Sequence, residues 1–241
     1  MTRGIFVTGT NTGVGKTVVT AGLLRLLARQ GIRAVGLKPV ASGAEPVGPQ
    51  RSLRNTDALE LQAAASVQLR YEDVNPWVFK PAIAPHIAAR EASQPVLLDD
   101  MVGWYRRVSA EADVALVEGA GGWRVPLHPN GFLSDLPEAL GLDVILVVGL
   151  TLGCLNHARL TAEAIARSGR CPLAGWIVNP IDPGFERRQE NLETLADLLG
   201  APPLADVALS DSAARSAHGN VVADFQATPR LVRALTGLAT G

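Results

Sequence analysis

Residues 5–17 read Ile5-Phe6-Val7-Thr8-Gly9-Thr10-Asn11-Thr12-Gly13-Val14-Gly15-Lys16-Thr17. Ile5–Thr8 is a short strand-like run, a glycine-rich turn follows, and a helical pattern opens at Lys16. Strand, turn and helix in that order are the context a phosphate-binding loop requires. The glycines let the backbone turn tightly and aim N–H groups at phosphate oxygens, and the helix N-terminus adds positive partial charge. Gly13, Val14, Gly15, Lys16, Thr17 and Val18 are therefore expected to bind nucleotide, with Lys16 reaching the β- and γ-phosphates and the Thr17 hydroxyl ligating Mg²⁺. The spacing departs from the common G-x-x-x-x-G-K-[ST] pattern, whose first glycine would fall where Thr10 stands; Gly9 is one residue early.

The rest of the chain repeats this β-then-α rhythm. Lys16–Gln30 carries Val19, Leu23, Leu26 and Leu27 at helical spacing and stops at Gly31, a C-terminal capping glycine. Ala34–Lys38 is the next strand. Val114–Glu118, Val144–Gly149 and Gly175–Asn179 are apolar runs of the kind found in parallel strands buried on both faces, and a last short strand is expected near Leu204–Leu209. Helices are expected at Asp57–Ala65, Leu97–Ser109, His157–Ser168 and Phe185–Leu199, and a surface loop at Ala44–Arg54. The predicted class is α/β: a P-loop NTPase-like, mostly parallel sheet with helices on both faces, forming one domain over 1–241.

Composition agrees. Of 241 residues 47% are hydrophobic but only 5% aromatic, so the core must be built from Val, Leu, Ile and Ala. A net charge of −1 argues against nucleic acid or a polybasic membrane contact as partner. Two cysteines, Cys154 and Cys171, make no disulfide framework. The opening MTRGIFVTG has no signal-peptide character, and the longest apolar stretch, Val144 to Leu155, is shorter than the roughly 20 residues a membrane span needs. A cytoplasmic location is expected.

Further positions carry chemistry. Glu118 ends a strand at the carboxyl edge of the sheet, where open α/β folds bind ligands, and is placed to hold Mg²⁺ directly or through water. Gly119-Ala120-Gly121-Gly122 after it lets backbone approach a ligand closely. Lys38 ends a strand just before Pro39, where the chain must leave the sheet, and is expected in the same crevice as Lys16. Two ammonium groups suit a reaction that accumulates negative charge. Asp57 precedes a helix; Asn179, before Pro180, ends a strand where an amide can pair with a purine edge. Gly153-Cys154-Leu155-Asn156-His157 is expected as a tight turn offering N–H groups to an anion, and Cys154 has no companion at zinc spacing.

Taken together, FVTGT-x-T-x-VGKT, KPVASG, RN-x-DAL, VNPW with the later APH, VEGAGGW, LGCLNHA and AGWIVN occur in order from residue 5 to residue 180 and resemble the dethiobiotin synthetase family. The resemblance implies that ATP, CO₂ or bicarbonate, and 7,8-diaminopelargonate are the substrates, with Mg²⁺ held by Thr17, Asp57 and Glu118. It implies Lys38 as the active-site lysine alongside Lys16, Thr12 and Ser42 as contacts to the diamine, and Asn179 with Pro180 at the adenine. It also implies a homodimer in which Gly153, Cys154, Leu155 and Asn156 of one subunit bind the substrate carboxylate in the other's site. The chain departs from the family at Asn11 and Gly13, where acids are frequent, at Thr151, where some members carry Lys, and at Val207-Ala208, which replaces Ile-Pro near the adenine.

The rival reading is an ATP-driven switch of the partition or septum-site type. Its deviant loop carries an extra lysine five residues before the GK lysine, where this chain has Asn11. An amidotransferase-linked synthetase would need a glutaminase domain that a chain of this length lacks, and a small-molecule kinase would release a phosphorylated product instead of free phosphate.

Overall fold

Two-sided burial makes strand β1 (Arg3–Gly9) central, since every residue from Ile5 to Gly9 is buried. The computed structural model describes residues 2–128, 130–207, 223 and 225–237. After β1 come α1 (Lys16–Arg29), β2 (Ala34–Leu37), β3 (Val40–Ala41), β4 (Glu45–Val47), β5 (Ser52–Arg54), α2 (Thr56–Ala64), α3 (Tyr71–Val74) and β6 (Trp77–Val78). Then follow α4 (Pro85–Glu91), α5 (Leu98–Ser109), β7 (Val114–Glu118), β8 (Pro126–His128), β9 (Gly131–Phe132) and α6 (Asp135–Leu140). The chain continues through β10 (Asp143–Leu150), α7 (Cys154–Ser168), β11 (Leu173–Pro180), α8 (Arg188–Leu199), β12 (Ala205–Asp206) and α9 (Pro229–Thr236).

Six strands form one sheet in the order β12-β11-β10-β1-β7-β2, every neighbouring pair parallel. The register aligns Val7 with Glu118 and Leu37 with Val117, so the residues after β1, β2 and β7 emerge side by side at one edge. Alternation along β1 divides the core. Ile5 and Val7 pack with α1 and α9, through Leu23, Leu26 and Leu231; Phe6 packs on the opposite face with Trp104, Trp123 and Ile165. Each fully buried leucine of α1 contributes at most about 1.5–3 kcal/mol. A third cluster under α7 and α8 centres on Trp176 and Leu195.

All the expected strands and helices occur, with ends moved by a few residues. Three corrections are local. Ala44–Arg54 is not plain loop: β4 and β5 pair antiparallel within it. Cys154-Leu155-Asn156 is not a turn but the first turn of α7, with Gly153 (φ 95°) as its N-cap. The last sheet strand is only Ala205–Asp206, and Ala208 lies outside the described residues. Both cysteines are free and buried. Among the described residues no helix is long and apolar enough to cross a membrane.

Candidate functional site

Where β1 ends, the chain has no side chain that caps α1. Gly15 occupies the N-cap in the left-handed region (φ 85°), and no side-chain hydrogen bond satisfies the first N–H groups of the helix. Those donors are left for an anion. Gly15 cannot be replaced cheaply: a Cβ there would meet the Asn179 amide at 1.9 Å.

The loop forms one wall of a cleft of about 670 Å³. Thr12, Gly13, Gly15, Lys16, Thr17, Val18, Lys38, Ser42, Asp57, Glu118, Ala120 and Gly121 all line it. Sequence reasoning missed Asn55 and the apolar wall of Ala41, Ala82, Ile83, Ala84, Pro85 and Val125. The motif Ala84-Pro85-His86 was the available signal for that wall, but alanines and isoleucine carry no chemistry that marks them.

Lys38 is the electrostatic centre. Its ammonium donates to Glu118 Oε1 at 2.6 Å, to Asp57 Oδ2 at 3.0 Å and to the Gly119 carbonyl at 3.4 Å. Burial alone pulls its pKa down, yet the charges of Glu118 and Asp57 and their hydrogen bonds outweigh that, and the net direction is up. The same Lys38 charge holds Asp57 below the usual carboxylate range, against the opposing effect of burial. Thr17 Oγ1 donates to Glu118 Oε1 at 2.9 Å, so hydroxyl, carboxylates and ammonium share one corner of the cleft.

Two acceptors in this corner are unused. Glu118 Oε2 and Ser42 Oγ are buried without a hydrogen-bond partner. A lone carboxylate oxygen beside a second carboxylate and a hydroxyl is the donor set a hard divalent cation takes. Among the described residues no group of three or more His, Cys, Asp or Glu is gathered. Two carboxylates and a hydroxyl therefore suit Mg²⁺, which keeps several waters, better than a metal needing a full protein cage.

Lys16 lines the cleft, and its ammonium donates to the Asn11 carbonyl at 3.0 Å. Burial first, and then the Lys38 ammonium, lower its pKa to about 8 against the pull of Glu118 and Asp57. For a polyphosphate ligand the sign of the pH effect follows. Below about pH 8 the ammonium is already charged and binding takes up no proton. Above it the neutral amine must capture one, so affinity should fall by up to about tenfold per pH unit. Calorimetry in buffers of different ionisation enthalpy should show proton uptake at alkaline pH and none near neutrality; a flat affinity profile would remove Lys16 from the phosphate site.

Asn179 lies behind the loop instead of in the cleft. Its Nδ2 donates to the Val14 carbonyl at 2.9 Å, tying β11 to the phosphate loop. Pro180 and Val207 line a separate hollow of about 460 Å³ with Phe185, Arg188 and Asp206. Arg188 and Asp206 pair across it. Gly153–Asn156 are not among the residues lining the cleft. Their helix α7 also starts without a side-chain cap, and Leu152 beside it is 94% exposed.

A family model described as an AAA domain matches residues 3–215. The ATP-dependent dethiobiotin synthetase BioD of Pseudomonas aeruginosa is 53% identical over 203 residues, 84% of this chain and 88% of its own length. The protein of that name from Chromohalobacter salexigens is 48% identical over 233 residues, 93% of this chain and 97% of its own. Among solved structures, a ParA family ATPase from Chlorobium tepidum TLS superposes with a TM-score of 0.53 at 11% identity, covering 88% of this chain and 86% of its own. The septum site-determining protein MinD complexed with Mg-ADP from Pyrococcus horikoshii OT3 gives 0.53 at 17%, covering 87% and 82%. At those identities the last two likenesses show the fold alone.

Proposed function

The chain belongs to the dethiobiotin synthetase family, and on that premise we propose that Mg²⁺-ATP, CO₂ and 7,8-diaminopelargonate meet in the cleft around Lys38. It is an ATP-dependent P-loop ligase of the cyclo-ligase kind, and a partition- or septum-type switch is not favoured. The single observation that carries the reading of the site is the buried Lys38 ammonium held between Glu118 and Asp57 beside the phosphate loop.

One amine of the diamine takes up CO₂ and loses a proton, giving a carbamate. A carbamate oxygen attacks the γ-phosphorus of ATP and ADP leaves, forming a carbamic–phosphoric anhydride. The second amine attacks the carbamate carbon, the C–O bond to phosphate breaks, and loss of a proton completes the cyclic urea. Carbamate and triphosphate are both anionic, so their approach is repulsive unless cations intervene. Lys16 and Lys38, which both line the cleft, supply two positive charges to the transferring group. Mg²⁺ bound by Thr17, Asp57 and Glu118 would add Lewis-acid polarisation of phosphoryl oxygens. Ser42 Oγ, without a protein partner, and Thr12 orient the diamine. Both reacting nitrogens lie on one small molecule, so proximity replaces a covalent protein nucleophile.

The hollow beside Pro180 supports a base site, with the Asn179 amide between it and the phosphate loop. The uncapped start of α7 at Gly153, Cys154, Leu155 and Asn156, with the open Leu152 next to it, supports a homodimer in which that helix end receives the substrate carboxylate of the partner's site. We read 1–241 as one domain acting in the cytoplasm.

Phosphate release from ATP and bicarbonate should require 7,8-diaminopelargonate. Equal release without the diamine would return the chain to the ATPase-switch reading.

A further inference from the structure

We propose that Tyr71, Asn55 and Asn75 form a buried positioning relay that fixes Lys38, Ser42 and Asp57 in one frame; the inference rests on the reading of the cleft given above. Lys38 needs such support because of where it stands. The chain leaves β2 at Leu37, and Pro39 has no N–H to donate, so the sheet ladder does not hold the Lys38 backbone. It is held instead from the α3 segment. Lys38 N–H donates to the Val74 carbonyl at 2.9 Å, and Asn75 Nδ2 donates to the Lys38 carbonyl at 2.7 Å. Both backbone groups of the lysine are thus engaged by consecutive residues.

Asn75 in turn depends on Tyr71. The phenol donates to Asn75 Oδ1 at 3.0 Å and accepts from Asn55 N–H at 2.7 Å. Asn55 is the N-cap of α2: its Oδ1 accepts from the N–H groups of Asp57 and Ala58 at 3.1 and 3.3 Å, and its Nδ2 donates to the Ser42 carbonyl at 3.4 Å. One phenolic oxygen therefore links the backbone of Lys38, through Asn75, to the backbones of Asp57 and Ser42, through Asn55. Asn55, Tyr71 and Asn75 are 7%, 6% and 1% exposed, so water offers no ready substitute for a lost bond. The Arg54 guanidinium lies over the Tyr71 ring, 4.1 Å from its centroid.

None of the three side chains is placed on the reacting atoms, so they are positioning residues. Hydrogen bonds of this kind could serve burial alone, and the test separates the two roles. The sequence holds three lysines, Lys16, Lys38 and Lys80, of which Lys80 is exposed. Acylation of the full chain with an amine-reactive ester, read by mass spectrometry, therefore reports Lys38 against two internal references, whatever the substrate is.

In Tyr71→Phe, Lys38 labelling should rise severalfold relative to Lys80 while Lys16 labelling and ATP affinity stay unchanged. Turnover should fall about 10- to 100-fold, the scale set by misplacing a reacting group by about an ångström. Asn55→Ser is the second arm. Serine caps a helix as well as asparagine does, and only the donor to Ser42 is lost. That variant should keep its melting temperature and raise KM for the diamine more than it lowers kcat. Unchanged Lys38 labelling with unchanged turnover in Tyr71→Phe overturns the relay, and so does a parallel rise at Lys16, which means general loosening. A wild type without diamine-dependent phosphate release refutes the proposed function instead, and leaves the labelling result to decide the relay.

Discussion

Lys38→Ala is expected to lower diamine-dependent turnover by about 10²–10³-fold while the protein still binds ATP. The phosphate loop and the start of α1 do not rely on Lys38 for any hydrogen bond, so the nucleotide contacts survive. On the proposed mechanism the transferring phosphoryl group loses one of two lysine charges, and the carbamate loses its screen. The same substitution has a structural cost. Glu118 is fully buried, and Lys38 is its only ion-pair partner among the described residues. Removing one member of a buried pair costs about 3–5 kcal/mol, and partial exposure of Asp57 to the cleft moves the expectation towards the lower figure.

Those two effects can be separated with Mg²⁺ alone. In the wild type the ammonium already pairs with one oxygen of each carboxylate, so lysine and a divalent cation compete for their negative charge. In the variant the carboxylates are free. Mg²⁺ without nucleotide should therefore raise the melting temperature of Lys38→Ala more than that of the wild type. Turnover should remain low even when stability has been restored. Near-normal phosphate release from the variant would refute the role of Lys38.

How much of this was legible beforehand depended on whether a residue's role is local. Gly15, Lys16 and Thr17 announce themselves because loop, strand and helix are contiguous in the chain. Glu118 and Lys38 were readable because one ends a strand and the other directly follows one, and strand ends of a parallel sheet share one edge. Asn179 was harder. A strand-terminal amide facing a ligand and one facing the back of the phosphate loop have the same sequence; only the register of β10 against β11 sets it against Val14. Gly, Cys and Asn in Gly153–Asn156 are residue types that suit a tight turn. That glycine is in fact the cap of α7, and periodicity does not report which side of a cap begins the helix.

The second layer over Lys38 was the least visible part. Val40–Ala41 pairs in parallel with Trp77–Val78 over only two residues, too short a run for any periodic signal. Tyr71 and Asn75 sit more than 30 positions from the lysine they support, and neither residue type is unusual at a helix end. Their partner Asn55 was readable only as a helix cap. What the chain order hides is that a cap, a phenol and an amide close a circuit, since long-range pairing of polar groups leaves no pattern along one sequence.

Glu118→Gln is the sharper test of the charge arrangement, because it changes one charge and almost no volume. Glutamine retains one acceptor for the two donors that now share Oε1, the Lys38 ammonium and the Thr17 hydroxyl. Its amide nitrogen falls where Oε2 has no partner, leaving a buried donor unsatisfied at a cost of about 1–3 kcal/mol. The larger consequence is for Lys38. Burial lowers its pKa, and Glu118 is the foremost charge that reverses this. With Glu118 neutral, Asp57 remains as the counter-charge beside the lysine, and the folded pKa must fall. The wild-type ammonium stays protonated well above neutral pH. In the variant it is charged only below the lowered value and loses its proton as pH rises through it. Turnover should drop by at least about 10²-fold, since a cation contact and a proposed metal ligand are weakened together. The residual rate should decline on the alkaline side at lower pH than in the wild type. A pH–rate profile of kcat with unchanged shape, at a rate within about tenfold of wild type, would place the transferring phosphoryl group away from Glu118 and Lys38 altogether.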